Sequence, residues 1–218
     1  MIKEYKTIFQ YAEIEHTIQK SRFIGYAKPV SDENEAIEFI ESIKNKHKNA
    51  THNVPVYVIG QNFEVQKYSE DGEPAGTAGM PVLDMLKKED IKYTAIVVTR
   101  YFGGIKLGTG GLVRAYTATA KLALAEAKIV EKVLHDIIKI RIEYSLLGKM
   151  QNELFNNGYT IKDTVFDDAV NIYAYSQVDR SDQLRAMTQN ITSGKADISI
   201  LDTLYLERLD GKLLAGKE

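Results

Sequence analysis

The sequence predicts an α+β fold in two domains, residues 1–132 and 133–218, and three observations lead there. Short alternating apolar segments that suit half-buried strands are interleaved with segments of helical period. From about Val133 the pattern resets and runs once through β-α-β-β-α-β, the order of a ferredoxin-like split unit. A chain of 218 residues that is 44% hydrophobic can also bury two small cores.

In the first domain, Thr7–Ile14 and Arg22–Ala27 alternate as strands, with Pro29 closing the second. A helix follows, with Ser31 as N-cap and Asp32, Glu33 and Glu35 in its first turn. Ala36, Ile37, Ile40 and Ile43 recur at helical spacing, and Lys44, Lys46 and Lys48 fall at the negative end of the dipole. Val54–Ile59 and Phe63–Tyr68 read as strands about the turn Gly60-Gln61-Asn62, and Pro55 suggests a strand start or a sheet edge. The loop 69–79 leads into a short helix over Met80–Lys88. Tyr93–Thr99 reads as a buried strand and Gly110–Val130 as an alanine-rich helix. In the second domain, His135–Tyr144 is a strand, Leu146–Asn156 a helix stopped by Asn157-Gly158, and Tyr159–Phe166 a strand. Asp167-Asp168 turns into the strand Val170–Val178, Ser181–Ile191 is a helix capped by Ser181 and ended by Gly194, and Asp197–Leu206 is the last strand.

Lys+Arg 28 against Asp+Glu 30 leaves a net charge of −2, so the chain as a whole has no attraction for nucleic acid or acidic lipid. Anion binding has to come from a local patch. With no cysteine, disulfides, thiolate metal sites and a cysteine nucleophile are excluded, and a reducing, cytoplasmic setting is expected. Residues 1–6 carry an early acid and no apolar core, unlike a signal peptide, and no run approaches the ~18 apolar residues of a membrane helix.

One patch stands out. Between Ile91 and Ala125 there is no Asp or Glu, while Lys92, Arg100, Lys106, Arg114 and Lys121 all fall inside. Gly103, Gly104, Gly108, Gly110 and Gly111 lie in the same strip, between a strand and a helix, where bare backbone exposes N–H groups and permits positive φ. The N-terminal end of the following helix adds unpaired amides and the positive end of its dipole. Arg100, Tyr101, Lys106, Gly108, Gly110, Gly111 and Arg114 are therefore the candidate anion or RNA contacts. The plainer alternative is that the glycines serve tight turns and close packing. Tyr101, Phe102 and Tyr116 either stack on unpaired bases or plug the end of a core.

Glu70, Asp71 and Glu73 crowd one loop and either hold magnesium, pair with the basic strip or stay solvated. His52 is either an anion contact or proton carrier, or structural. Together these four are auxiliary candidates. His16, His47 and His135 are scattered and suggest no metal cluster, so no metal or cofactor is expected. Neither a Gly-x-Ser-x-Gly elbow nor a full Walker sequence is present, which lowers the expectation of hydrolase or kinase activity.

Residues 68–79 and 98–116, with Ser21-Arg22-Phe23-Ile24 and Ala50-Thr51-His52-Asn53, closely resemble the signatures of the YigZ/IMPACT family, and the C-terminal half resembles the small domain its bacterial members append. Relatives often place a cysteine or similar small residue after the His-Asn pair. Val54 stands there in this chain, which weakens a catalytic role for that segment. The resemblance implies an N-terminal β-α domain like a small-subunit ribosomal protein, the fourth domain of elongation factor G and the GHMP kinases. It also implies a C-terminal ferredoxin-like domain like the fifth domain of that factor. Eukaryotic relatives regulate translation initiation by competing for a protein partner of a stress kinase. The expected function is thus non-enzymatic binding of RNA or a ribosomal component, with a protein partner and no membrane. Two alternatives remain: a nucleotide- or phosphate-processing enzyme using Gly108–Gly111, and a regulator that binds only protein.

Overall fold

The computed structural model describes residues 2–214. These divide into two compact units, Tyr5–Glu131 and, separately, residues 132–214 with residues 2–4. The extreme N-terminus, assigned by sequence to the first domain, thus groups with the second.

In the first unit the run expected over Thr7–Ile14 is two strands, β1 (Glu4–Ile8) and β2 (Ala12–Ile18), interrupted at Phe9–Tyr11. The break follows from the backbone: the Phe9 amide turns away to the Ala127 and Lys128 carbonyls. β3 (Ser21–Pro29) follows, then α1 (Glu33–Lys46), whose N-cap is Asp32 and not Ser31. Asp32 accepts the Glu35 amide at 2.9 Å, while the Glu35 carboxylate reaches back to the Ser31 amide and hydroxyl, shifting the expected cap by one residue.

β4 (His52–Ile59), β5 (Val65–Tyr68), α2 (Gly79–Lys88), β6 (Thr94–Tyr101) and α3 (Thr109–Ala127) complete the unit. The sheet runs β2-β3-β6-β4-β5, antiparallel throughout. Pro55 is therefore not on an edge strand. Its carbonyl accepts the Ser69 amide, so its donorless nitrogen faces the β5 side, just past the end of that ladder at Val56↔Tyr68.

The two faces of this sheet bury different cores. Ile96 and Val98 of β6 pack with α2 and α3, including Leu86, Ala115, Ala120 and Ala123. Ala95 and Val97 pack with α1 through Phe39, Ile40 and Ile43. The strand period of two thus dictates that Arg100 points toward α3 while Tyr101 points toward α1.

The second unit carries β7 (Ile129–Ile142), a 3-10 turn (Tyr144–Leu146), α4 (Leu147–Asn156), β8 (Thr160–Phe166), β9 (Val170–Gln177), α5 (Ser181–Thr192), β10 (Asp197–Leu209) and β11 (Lys212–Leu213). The order β11-β10-β7-β9-β8 contains the 4-1-3-2 arrangement of the ferredoxin-like unit, over a core including Ile138, Ile140, Met150, Leu154, Ile172 and Leu184. β7 begins before the expected His135 because Lys128, at φ +60°, ends α3 and redirects the chain. Ser181 is the first residue of α5 and not its cap. Its hydroxyl instead donates to the buried Asp136 carboxylate at 2.6 Å.

Candidate anion-binding site

Arg100 is 5% exposed, at the end of a strand whose preceding residues on that face, Ile96 and Val98, are apolar and buried. A buried guanidinium has to be paired, and the partner is Glu73, 8% exposed. Arg100 Nη1 donates to Glu73 Oε1 at 2.6 Å and Tyr116 OH donates to the same oxygen at 2.7 Å. Burial, then the Glu73 carboxylate, push the Tyr116 phenol far above its ordinary value, so it stays a donor. Arg100 Nη2 donates to Ser21 Oγ at 3.3 Å, and the guanidinium lies over the Phe23 and Phe102 rings, 5.5 Å from each centroid. Arg100, a candidate anion contact by sequence, is an internal cation whose charge Glu73 balances.

The loop 69–78 is built by its acids. Glu70 accepts the amides of Gly76, Ala78, Gly79 and Met80 at 2.8–3.3 Å, capping α2, whose own N-cap residue Ala78 has no side-chain acceptor. Asp71 Oδ2 accepts the Asn53 amide at 2.5 Å, and the Asp71 carbonyl lies 2.7 Å from His52 Nδ1. Because a carbonyl only accepts, Nδ1 donates to it, and Nε2 lies 3.7 Å from Glu73 Oε1. All three carboxylates are thus engaged by protein, and no group of three or more metal-ligating side chains occurs among the described residues. Pairing with the basic strip, one of the roles open to this loop by sequence, fits Glu73, whereas Glu70 caps α2.

The remaining cations separate cleanly. Lys92 is buried and paired with Asp90 at 2.8 Å, and Lys121 is paired with Glu89 at 3.2 Å. Lys106 and Arg114 are exposed and have no carboxylate within ion-pair reach among the described residues. Both flank the start of α3, which has no side-chain cap and no acid in its first turn. Its first intrahelical bond runs from the Leu112 amide to the Gly108 carbonyl, so the amides of Thr109, Gly110 and Gly111 precede the ladder.

The glycines of the strip serve different ends. A Cβ on Gly103 would sit 1.9 Å from the Lys20 carbonyl oxygen, so this glycine is demanded by packing. Gly108 holds φ +71° with open space around it, so its requirement is conformational. Gly110 needs neither: its φ is ordinary and the nearest atom to an added Cβ is Arg114 Nη1 at 3.7 Å.

Between the α3 start and the His52 strand end lies a recess of about 470 Å³, walled by His52, Arg100, Phe102, Lys106, Gly108 and Leu112 among others. Of the three aromatics considered for stacking, only Phe102 faces it, 47% exposed. Tyr116 is fully buried, and Tyr101 is on the opposite face of the sheet, its hydroxyl 2.9 Å from His47 Nδ1. The recess was not legible as such. The signal for the Arg100–Glu73 pair was present: an arginine inside an apolar central strand requires a carboxylate, and the neighbouring sequence has none.

Fold and topology define a two-domain α+β protein of antiparallel sheets. A model of the Impact N-terminal domain matches residues 19–124, and one of a domain of unknown function, DUF1949, matches residues 140–195. The IMPACT family member YvyE of Bacillus subtilis (strain 168) is 43% identical over 208 residues, 95% of this chain and 96% of that protein. The IMPACT family member YigZ of Escherichia coli (strain K12) is 36% identical over 151 residues, 65% of this chain and 74% of that one. The crystal structure of "an hypothetical protein" matches with a TM-score of 0.58 at 26% identity, covering 93% of this chain and 99% of that one. The chain belongs to the IMPACT family.

Proposed function

We propose that this protein is a non-enzymatic binding protein of translation that grips phosphate groups of RNA, or of a ribosomal component, at the start of α3. The observation that carries this reading is the open helix end itself: amides of Thr109, Gly110 and Gly111, with Lys106 and Arg114 beside them, unopposed by any acid in the first turn. Glu73, the one buried acid of the neighbouring loop, is ion-paired with Arg100 and so does not oppose that field. IMPACT membership supports the translation setting, and the ferredoxin-like unit then orients the bound partner or recruits a protein.

Fluorescence anisotropy with a labelled single-stranded RNA tests the reading. Affinity falls as salt rises from about 50 to 200 mM, and Lys106→Ala or Arg114→Ala each flattens the log–log salt slope by roughly 0.7 to 1. Binding that ignores salt, or no binding at all, overturns it. Arg100→Ala is unsuitable here, because its loss acts through the buried pair with Glu73.

A further inference from the structure

We propose that the helix-free face of the ferredoxin-like sheet binds single-stranded RNA through its bases, one stacked on Tyr173 and the next on Tyr175; this rests on the reading of RNA as the partner and gives it a second surface, in the other unit. Strand parity sets the face. Ile138 and Ile140 of β7 and Ile172 and Ala174 of β9 pack with Met150 and Leu154 of α4 and Leu184 of α5. Ile137, Lys139, Tyr173 and Tyr175 therefore project to the opposite side, where both tyrosines are half-buried. They stand two positions apart on β9, a central strand of the order β10-β7-β9-β8. Two positions of a strand span about 7 Å. That is twice the ~3.4 Å rise of a strand in a stacked duplex, so each ring takes a separate, unstacked base.

A second, independent observation comes from the neighbouring edge strand. The β8–β9 register passes from Ile161↔Ala174 directly to Asp163↔Tyr173, so Lys162 is an inserted residue without a ladder partner. Such a bulge re-aims the side chain it carries. Here it brings Lys162 Nζ to 6.0 Å from the Tyr175 ring centroid. Lys139 stands directly across the ladder from Tyr173. Neither lysine has a carboxylate within ion-pair reach among the described residues, whereas Arg141, further along the same face, is paired with Asp168. An unpaired cation thus attends each ring, and a polyanion is the occupant that answers both.

The relief of the face suits bases. A recess of about 400 Å³ opens on it, walled by Ile137, Lys162, Asp163, Val165, Tyr173 and Leu201. Val165 and Leu201 are exposed and give the edge of a base an apolar flank beside the Tyr173 ring. Ile137 pairs across the ladder with Tyr175, so the second ring borders the same recess. Asp163, the acid in that wall, has its carboxylate turned to the Thr164 amide at 2.7 Å. Four-stranded sheets whose exposed aromatics stack two or three bases are a recurring RNA-binding design, and stacking tolerates any sequence because every base has a π face. The same charges disfavour a second copy of the chain, which would bring Lys139 and Lys162 against their own counterparts.

Fluorescence anisotropy of the full chain with one labelled RNA, presented as a single strand and as a duplex, tests the proposal, with sedimentation equilibrium of the protein alone beside it. The single strand binds more tightly than the duplex. Tyr173→Ala and Tyr175→Ala each lower single-strand affinity by roughly tenfold and leave the salt slope unchanged, while Tyr173→Phe and Tyr175→Phe keep the affinity because the ring remains. Lys162→Glu, at an exposed bulge where the fold does not depend on it, lowers affinity by about fivefold or more, so the test survives if an alanine variant fails to fold. Loss in the tyrosine variants without loss in Lys106→Ala or Arg114→Ala supports the sheet face and overturns the α3 reading. Loss in the lysine and arginine variants of α3, with full affinity in Tyr173→Ala, Tyr175→Ala and Lys162→Glu, overturns the sheet face and leaves the α3 reading standing. Equal binding of the duplex, or a self-association of the chain that Tyr173→Ala abolishes, also overturns the sheet face. No binding of either RNA overturns both.

Discussion

Arg100 occupies the last inward position of β6, and its charge is held by Glu73, 27 residues earlier in the chain. Removing one member of a buried pair strands the other's charge in a medium that cannot solvate it. Glu73→Ala or Arg100→Ala is therefore expected to cost about 3–5 kcal/mol, measured by urea denaturation, whereas the double substitution costs less than the sum. Additive costs in that cycle would show that the two side chains do not act together. The histidines give a second residue-scale expectation. Burial holds His16, His47 and His135 below the ordinary imidazole value, with Lys46 adding to the effect at His47. Below about pH 6.5 the unfolded chain binds protons that these folded rings resist, so stability rises with pH in that window. Their contribution is complete above about 6.5 and is lost as the pH falls through the folded values. Glu35, held near 2 by the Ser31 amide and Lys28, stays charged in the folded protein, and its own loss of stability with acid falls mainly below about pH 5, where the unfolded carboxyl protonates. Melting temperature is expected to decline between about pH 7 and 5, and a flat profile would contradict the assignment.

At the scale of elements, the ends of helices separate what sequence reveals from what it conceals. The charges and period of α1 announced the helix, and only the cap moved, from Ser31 to Asp32, because Glu35 could reach back to Ser31. α2 is different, since its cap is the carboxylate of Glu70, nine residues before Gly79, and no local pattern exposes an acceptor delivered by a folded loop. The same loop explains why the auxiliary acids read as a solvated or metal-binding cluster: their partners are backbone amides and an arginine of a distant strand. Glu70→Ala leaves up to four amides without that acceptor and is expected to destabilise the protein by about 1–3 kcal/mol. Adding magnesium or EDTA is expected to leave the melting temperature of the parent protein unchanged, because these carboxylates are already committed. A magnesium-dependent rise of several degrees would instead place a cation in the loop.

At the scale of the whole molecule, a net charge of −2 hides an uneven distribution, and the uneven part was readable. The acid-free window from Ile91 to Ala125 was visible as letters. Which of its five cations stay unpaired at the surface was not, because that depends on strand parity, which buries Arg100, and on acids from outside the window, which pair Lys92, Arg100 and Lys121. The ferredoxin-like order was legible because each element keeps its own period, whereas the break between β1 and β2 depended on the distant carbonyls of Ala127 and Lys128. Locality of charge can be separated from its total. Lys106→Glu with Arg114→Glu, and Lys149→Glu with Lys195→Glu, shift the net charge by the same amount, and all four side chains are exposed. If a general field governed association, both double variants would lose RNA affinity equally, since such an attraction depends on the summed charge. With local contact at the α3 end, the first pair is expected to lose at least tenfold in affinity near 0.1 M salt, while the second changes by less than about twofold. Equal losses would move the anion site away from α3.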